Sequence, residues 1–158
     1  MKYARLSLAD LKDLEKEFIE FLVVNGIEAK DWERIKEEEI EKAEAIIDQF
    51  SDVIWEGVLR KIDMVEKRTS NSLTISRIRL NEMETLYFEV DDENIDLMKE
   101  ESIDKVLSEF ESFKPKYNKV DLSYNLTESE YLFGLIRTGF YITKKPEYHS
   151  VLDKLSKE

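Results

Sequence analysis

An α+β fold is the class this sequence predicts, and three observations predict it. Apolar residues recur at helical spacing over most of residues 8–62, runs of β-branched and aromatic residues replace that rhythm between Ile62 and Val90, and helical spacing then returns. Helices first, strands next and helices last lack the alternation that parallel crossover units need. The expected architecture is one domain over residues 1–158: N-terminal helices, a three-stranded antiparallel β-meander, then C-terminal helices packed on one face of the sheet.

Each element has a local reason. Ser7 suits an N-cap, with Asp10 in a capping-box-like position and Leu6 and Leu11 placed as a hydrophobic staple. Leu11, Leu14, Phe18, Phe21 and Leu22 then form one stripe, and Asn25–Gly26 supplies a left-handed stop, so a first helix spans about 8–25. From Trp32 to Ile62 the helical rhythm is too long for one element, and a break suits either Glu37–Glu39 or Phe50–Asp52. The segments "KIDMVEK", "SLTISRIRL" and "EMETLYFEV" read as strands separated by "TSNS" and "NE" turns. Ile103, Val106, Leu107, Phe110 and Phe113 mark a helix that stops before Pro115, and Val120, Leu122, Tyr124 and Leu126 alternate as an extended piece. Thr127 and Glu130 predict a second capping box, on a helix running to Gly139, and Pro146 starts a last helix carrying Tyr148, Val151, Leu152 and Leu155.

Composition narrows the classes of function. The 158 residues are 42% hydrophobic and 38% charged, with a net charge of −12 and no cysteine. A packed core is expected, and disulfides, thiolate chemistry and Cys-ligated zinc are excluded. The first residues lack an apolar signal core, and nowhere do eighteen apolar residues run together, so the reading is a cytoplasmic protein with no membrane segment. The sequon Asn125–Thr127 carries no meaning without a secretory route.

The stretches "MKYARL", "LEKEFIEFLVVNGI", "DWERIK" and "QFSDVIWE" resemble a family of small cytosolic proteins of unknown function from Bacteroidetes-type bacteria. The resemblance is strongest over residues 1–90 and fades after about Val90. It implies one cytosolic domain, and since the family has no assigned activity, no residue inherits a role from it.

The sharpest local question lies in "RTSNSLTISRIRL", Arg68 to Leu80, which holds three arginines and no carboxylate in an acidic chain. If Asn81–Glu82 is a two-residue hairpin loop, Arg79 faces Glu84 and Arg77 faces Leu86; a five-residue loop from Arg68 to Ser72 sets Asp63 opposite Arg77. Residues 60–80 hold six basic and two acidic side chains, while 82–111 hold two and twelve. The arginines are therefore expected to be neutralised by their own chain instead of reading an anion.

No catalytic, cofactor or metal signature appears. His149 is the only histidine, glycine-rich phosphate loops and HExxH are missing, and Asp92, Asn94 and Asp96 match an EF-hand start that fails at Leu97 and Ile103. Nucleic-acid binding lacks a basic face, residues 127–158 being balanced at five basic and five acidic groups. The expected function is a non-catalytic acidic module for a protein partner or self-association. The alternatives are a small enzyme with a carboxylate-lined pocket and an acidic nucleic-acid mimic occupying a basic site. Gly139 and Pro146 make "FYITKK" a surface connector, so Phe140, Tyr141, Lys144, Lys145 and Tyr148 are the candidate docking residues.

Overall fold

The computed structural model describes residues 1–157, which form an α+β fold in two units, Met1–Val58 and a second from Leu59 onward. Ser7 caps α1 (Leu8–Asp13), its Oγ accepting from the Asp10 N–H at 3.1 Å. The helix expected over 8–25 is divided: Leu14 leaves helical geometry at φ −102°, ψ 23°, and α2 (Glu15–Val24) follows. Gly26 then adopts φ +75°, with Ile27 N–H donating to the Leu22 carbonyl and Gly26 N–H to that of Val23. This is a Schellman stop, and it needs the residue without a Cβ.

Of the two breaks weighed for the next stretch, the chain uses the first. α3 (Ala29–Glu38) and α4 (Ile40–Leu59) meet at Glu39, and α4 runs unbroken through Phe50–Asp52. Ser51 does not cap a new helix because its hydroxyl donates back to the Ile47 carbonyl at 2.7 Å. Asp52 instead accepts the N–H groups of Lys2 and Tyr3, which ties the N-terminal segment to α4. The core of this unit is Leu22, Ile35, Ala43 and Ile46, with Phe18 set edge-on to Trp32 (5.1 Å) and to Phe50 (5.0 Å).

The second unit contains β1 (Met64–Arg68), β2 (Ser72–Arg79), β3 (Glu82–Glu89), α5 (Glu100–Ser108), α6 (Phe110–Phe113), β4 (Lys116–Asp121), α7 (Glu128–Arg137), β5 (Tyr141–Ile142) and α8 (Pro146–Ser156). The sheet has five antiparallel strands in the order β4-β3-β2-β1-β5, so the expected three-stranded meander is its centre and gains a strand at each edge. Thr127 and Glu130 form the expected capping box at the start of α7, and Pro146 occupies the first turn of α8.

Both expected registers are corrected. The β2–β3 turn is Leu80–Asn81, at φ +55° and +58°, not Asn81–Glu82, which places Arg77 opposite Glu84 and Arg79 opposite Glu82. Two positive φ values define the primed turn whose twist suits a hairpin, and Asn81 takes its second position. Between β1 and β2, Arg68 pairs with Leu73 and Met64 with Arg77, so the loop is one residue shorter than expected and Asp63 does not face Arg77. A one-residue slip turns a strand over. Met64, Glu66 and Arg68 therefore share a face with Ile75 and Arg77.

That face packs against α5, α6 and α8, through Ile103, Val106, Leu107, Phe110, Tyr148, Val151 and Leu152. The expectation of helices on a single face fails at α7, which contacts β1 and β2 from the other side. Lys67, whose side chain alternates with those of Glu66 and Arg68, donates to the Thr138 carbonyl at the end of α7.

Candidate functional site

The register of β1 puts Glu66 and Arg68 on the face that α8 covers, and the β2–β3 register sets Arg77 opposite Glu84 on the same face. Glu66 is 2% exposed, and its Oε1 accepts from Arg68 Nε, from the Tyr148 hydroxyl at 2.9 Å and from the Tyr141 hydroxyl at 3.1 Å. Arg68 Nη2 reaches Glu100 at 2.8 Å, and Lys145 Nζ bridges Glu100 and Asp104 at 3.2 and 2.9 Å. Farther along the sheet, Arg77 is 0% exposed and donates through Nε (3.0 Å) and Nη2 (2.8 Å) to Glu84 Oε1, while Tyr117 donates to Glu84 Oε2 at 2.8 Å. The same Nη2 reaches Asp153 at 2.9 Å, where Arg79 joins it at 3.2 Å.

His149 completes this second network. Its Nδ1 lies 3.0 Å from Arg77 Nη1, and a guanidinium can only donate, so Nδ1 is the acceptor and the ring proton sits on Nε2, which lies 3.8 Å from Asp63. This histidine orients an arginine.

The electrostatics of the networks are those of a locked structure. Burial and the negative charge of Glu66 push Tyr141 up to about 12 and raise Tyr148 as well. Burial and the hydrogen bond to Glu84 push Tyr117 up to about 12. Burial works against the charge of Arg68, but its bonds to Glu66 and Glu100 outweigh it and hold that guanidinium protonated. Hydrogen bonds from Arg68 to Glu100 and from Arg77 to Asp153 hold both carboxyls below the usual range, and Asp104 raises Lys145. Each of these shifts moves its group away from neutral pH, the reverse of what proton transfer catalysis requires.

Of the residues expected to dock a partner, Tyr148 is fully buried and belongs to the core, and Lys145 is held between Glu100 and Asp104. Phe140 is half-buried with Lys67 Nζ 5.9 Å from its ring, Lys144 is exposed, and Tyr141 is 46% exposed on the edge strand β5 with its hydroxyl on Glu66. Asp92 and Asp96 use their carboxylates on their own turns, accepting from Asn94 N–H and Met98 N–H. Among the described residues no group of three or more His, Cys, Asp or Glu is placed to hold a metal ion. An open depression of about 570 Å³ beside Ser70, Asn71 and Val90 has Asp91, Asp92, Glu93 and Asp96 along its lining.

A different concavity lies in the first unit. Between α2 and α3, Glu15, Phe18, Ile19, Leu22 and Val23 line one wall and Ala29, Trp32, Glu33 and Lys36 the other, around a cavity of about 260 Å³ closed at one end by Ile27. Ile19 is 52% and Val23 66% exposed at its rim. Reading the stripe Phe18–Phe21–Leu22 alone misses these two. The available signal was "FIEFLVV", which is apolar nearly all round the helix, more than one buried stripe needs.

The chain belongs to a family of unknown function (DUF6495), whose model matches residues 1–157, so the likeness runs through the C-terminal helix instead of fading after Val90. Neither a curated protein nor a solved structure matches it. Among the described residues no helix is long and apolar enough to cross a membrane.

Proposed function

We propose that this member of the family is a non-catalytic protein-interaction module that docks its partner in the α2–α3 groove. One observation carries the reading: of the apolar side chains this unit leaves exposed, Ile19 and Val23 stand at the rim of an apolar slot. Exposed apolar surface of this kind costs hydration free energy unless a partner covers it. The arginines of the sheet offer no competing ligand site, since the bonds described above tie each of the three to carboxylates of its own chain. The connector at Phe140, Tyr141 and Lys144 is the second candidate surface, supported by the open side chains of Tyr141 and Ile142 on β5.

The test compares wild type, Val23→Glu and Tyr141→Ala as bait in a native lysate, with melting temperature as the control for folding. A partner retained by wild type and Tyr141→Ala but lost by a fully folded Val23→Glu supports the groove. Loss through Tyr141→Ala alone moves the site to the connector, and capture that is equal for all three, or absent, overturns the module reading.

A further inference from the structure

We infer that the α2–α3 groove receives an amphipathic helix of a partner protein, with Lys or Arg flanking its apolar stripe. The inference rests on the module reading and adds the chemistry of the partner. Size argues first. At about 260 Å³ the cavity falls below the ~300–1,000 Å³ of small-molecule sites, yet it suits a few aliphatic side chains. Its walls run for two helical turns, from Glu15 to Val23 on α2 and from Ala29 to Lys36 on α3, roughly 12 Å at the rise of an α-helix. A partner helix presents anchors one turn apart along such a slot, which is how helix-in-groove recognition works.

Charge chooses the partner. Residues 8–39 hold five Lys or Arg against eleven Asp or Glu. Three of these five cations are already engaged: Lys36 with Glu33 at 2.9 Å, Arg34 with Glu39 at 2.8 Å, and Lys30 with Glu28 at 3.8 Å. The field at the rim is therefore negative. A second copy of the chain would bring −12 against −12, and nucleic acid or an anionic lipid surface is repelled in the same way. A basic helix is drawn in, with the charges contributing association rate and specificity while Ile19, Val23 and Trp32 supply the buried contact.

The experiment uses the whole protein, ¹⁵N-labelled, and two synthetic helical peptides with the same Leu-rich face, one flanked by Lys and one by Glu. The expected result is that the Lys peptide shifts resonances of α2 and α3, binds roughly tenfold more weakly when salt screens its charges, and loses several-fold in affinity with Glu15→Lys. Val23→Glu should abolish the shifts, and the Glu peptide should leave the spectrum unchanged. Equal binding of the two peptides, binding of the Lys peptide elsewhere, or no binding by either overturns the basic-helix inference. Concentration-dependent dimers that Val23→Glu disrupts, or binding to anionic vesicles, overturn it in favour of those occupants. In each of these cases Val23-dependent capture from lysate still stands or falls by itself, so failure of the partner class is separable from failure of the module reading.

Discussion

In the unit built on the sheet, Glu66, Arg77 and Glu84 are buried and meet one another's kind through tyrosines, a histidine and α8; in the helical unit no charged side chain is buried, and Ile19 and Val23 face solvent. A charge taken out of water loses several kcal/mol of hydration, so it persists only where partners saturate it. That requirement turns the arginine-rich strip, which in isolation resembles an anion site, into internal scaffolding. An aliphatic side chain left in water has no such internal remedy, and it directs attention to what covers it. The buried polar groups thus report on stability, and the open apolar ones are where the proposed docking is tested.

The largest effect should come from breaking the saturation. Arg77→Leu leaves Glu84 buried without its guanidinium and is expected to cost ~3–5 kcal/mol in urea unfolding. Arg77→Leu combined with Glu84→Leu should recover a large part of that loss, and a single variant within ~0.5 kcal/mol of wild type would show that the network is not saturated as described. Tyr148→Phe removes a donor to the Glu66 carboxylate and should cost about 1.5–3 kcal/mol.

The pH dependence follows from the shifted groups. Tyr117, Tyr141 and Tyr148 are raised in the folded protein, so the unfolded chain loses its phenolic protons first. Their stabilisation is complete below the ordinary tyrosine value of ~10 and is lost as pH climbs through about 12 for Tyr117 and Tyr141. Asp153 and Glu100 are lowered, so their contribution is present above ~4 and disappears as pH falls through their depressed values. Unfolding free energy measured from pH 2 to 12 should fall at both ends, and Tyr117→Phe should flatten the alkaline limb.

Smaller effects sharpen the contrast. Arg79 is half exposed beside Asp153, so Arg79→Ala should cost no more than ~1 kcal/mol, and a double-mutant cycle should couple Arg77 to Glu84 but not Arg79 to Glu84. Coupling of Arg79 with Glu84 would restore the register read from the Asn81–Glu82 turn. Smallest of all, Val23→Glu should change stability by less than ~0.5 kcal/mol, because its surface is already in water. A large loss there would mean that Val23 is core and that the groove is no docking site.

Features that depend on a few consecutive residues were legible in the chain. Ser7, Asn25–Gly26, the Thr127–Glu130 box and Pro146 mark helix ends, because caps and left-handed stops are made within one turn. The strands of the meander were legible for a similar reason, their branched and aromatic runs being bounded by turn residues. Of the candidate residues Phe140, Tyr141, Lys144, Lys145 and Tyr148, the last is core and Lys145 is bound within its unit, and the single apolar stripe of α2 does not mark Ile19 and Val23, because one stripe suffices to explain a helix. The edge strand β5 reads as a connector in the sequence, since its two residues become a strand only by pairing with β1.

Sequence by itself determined the α+β class, the helix ends that carry a cap or a left-handed stop, the acidic balance and the self-neutralisation of the arginines, all of which follow from local chemistry and composition. Tertiary structure alone decided which carboxylate meets which arginine. Loop length sets register, and one residue fewer between β1 and β2 turned Glu66 and Arg68 inward beneath Tyr148. It also decided how far each apolar residue of α2 is covered: Leu22, which the helical stripe already points inward, packs with Ile35, Ala43 and Ile46, while Val23 beside it stays in water at the groove.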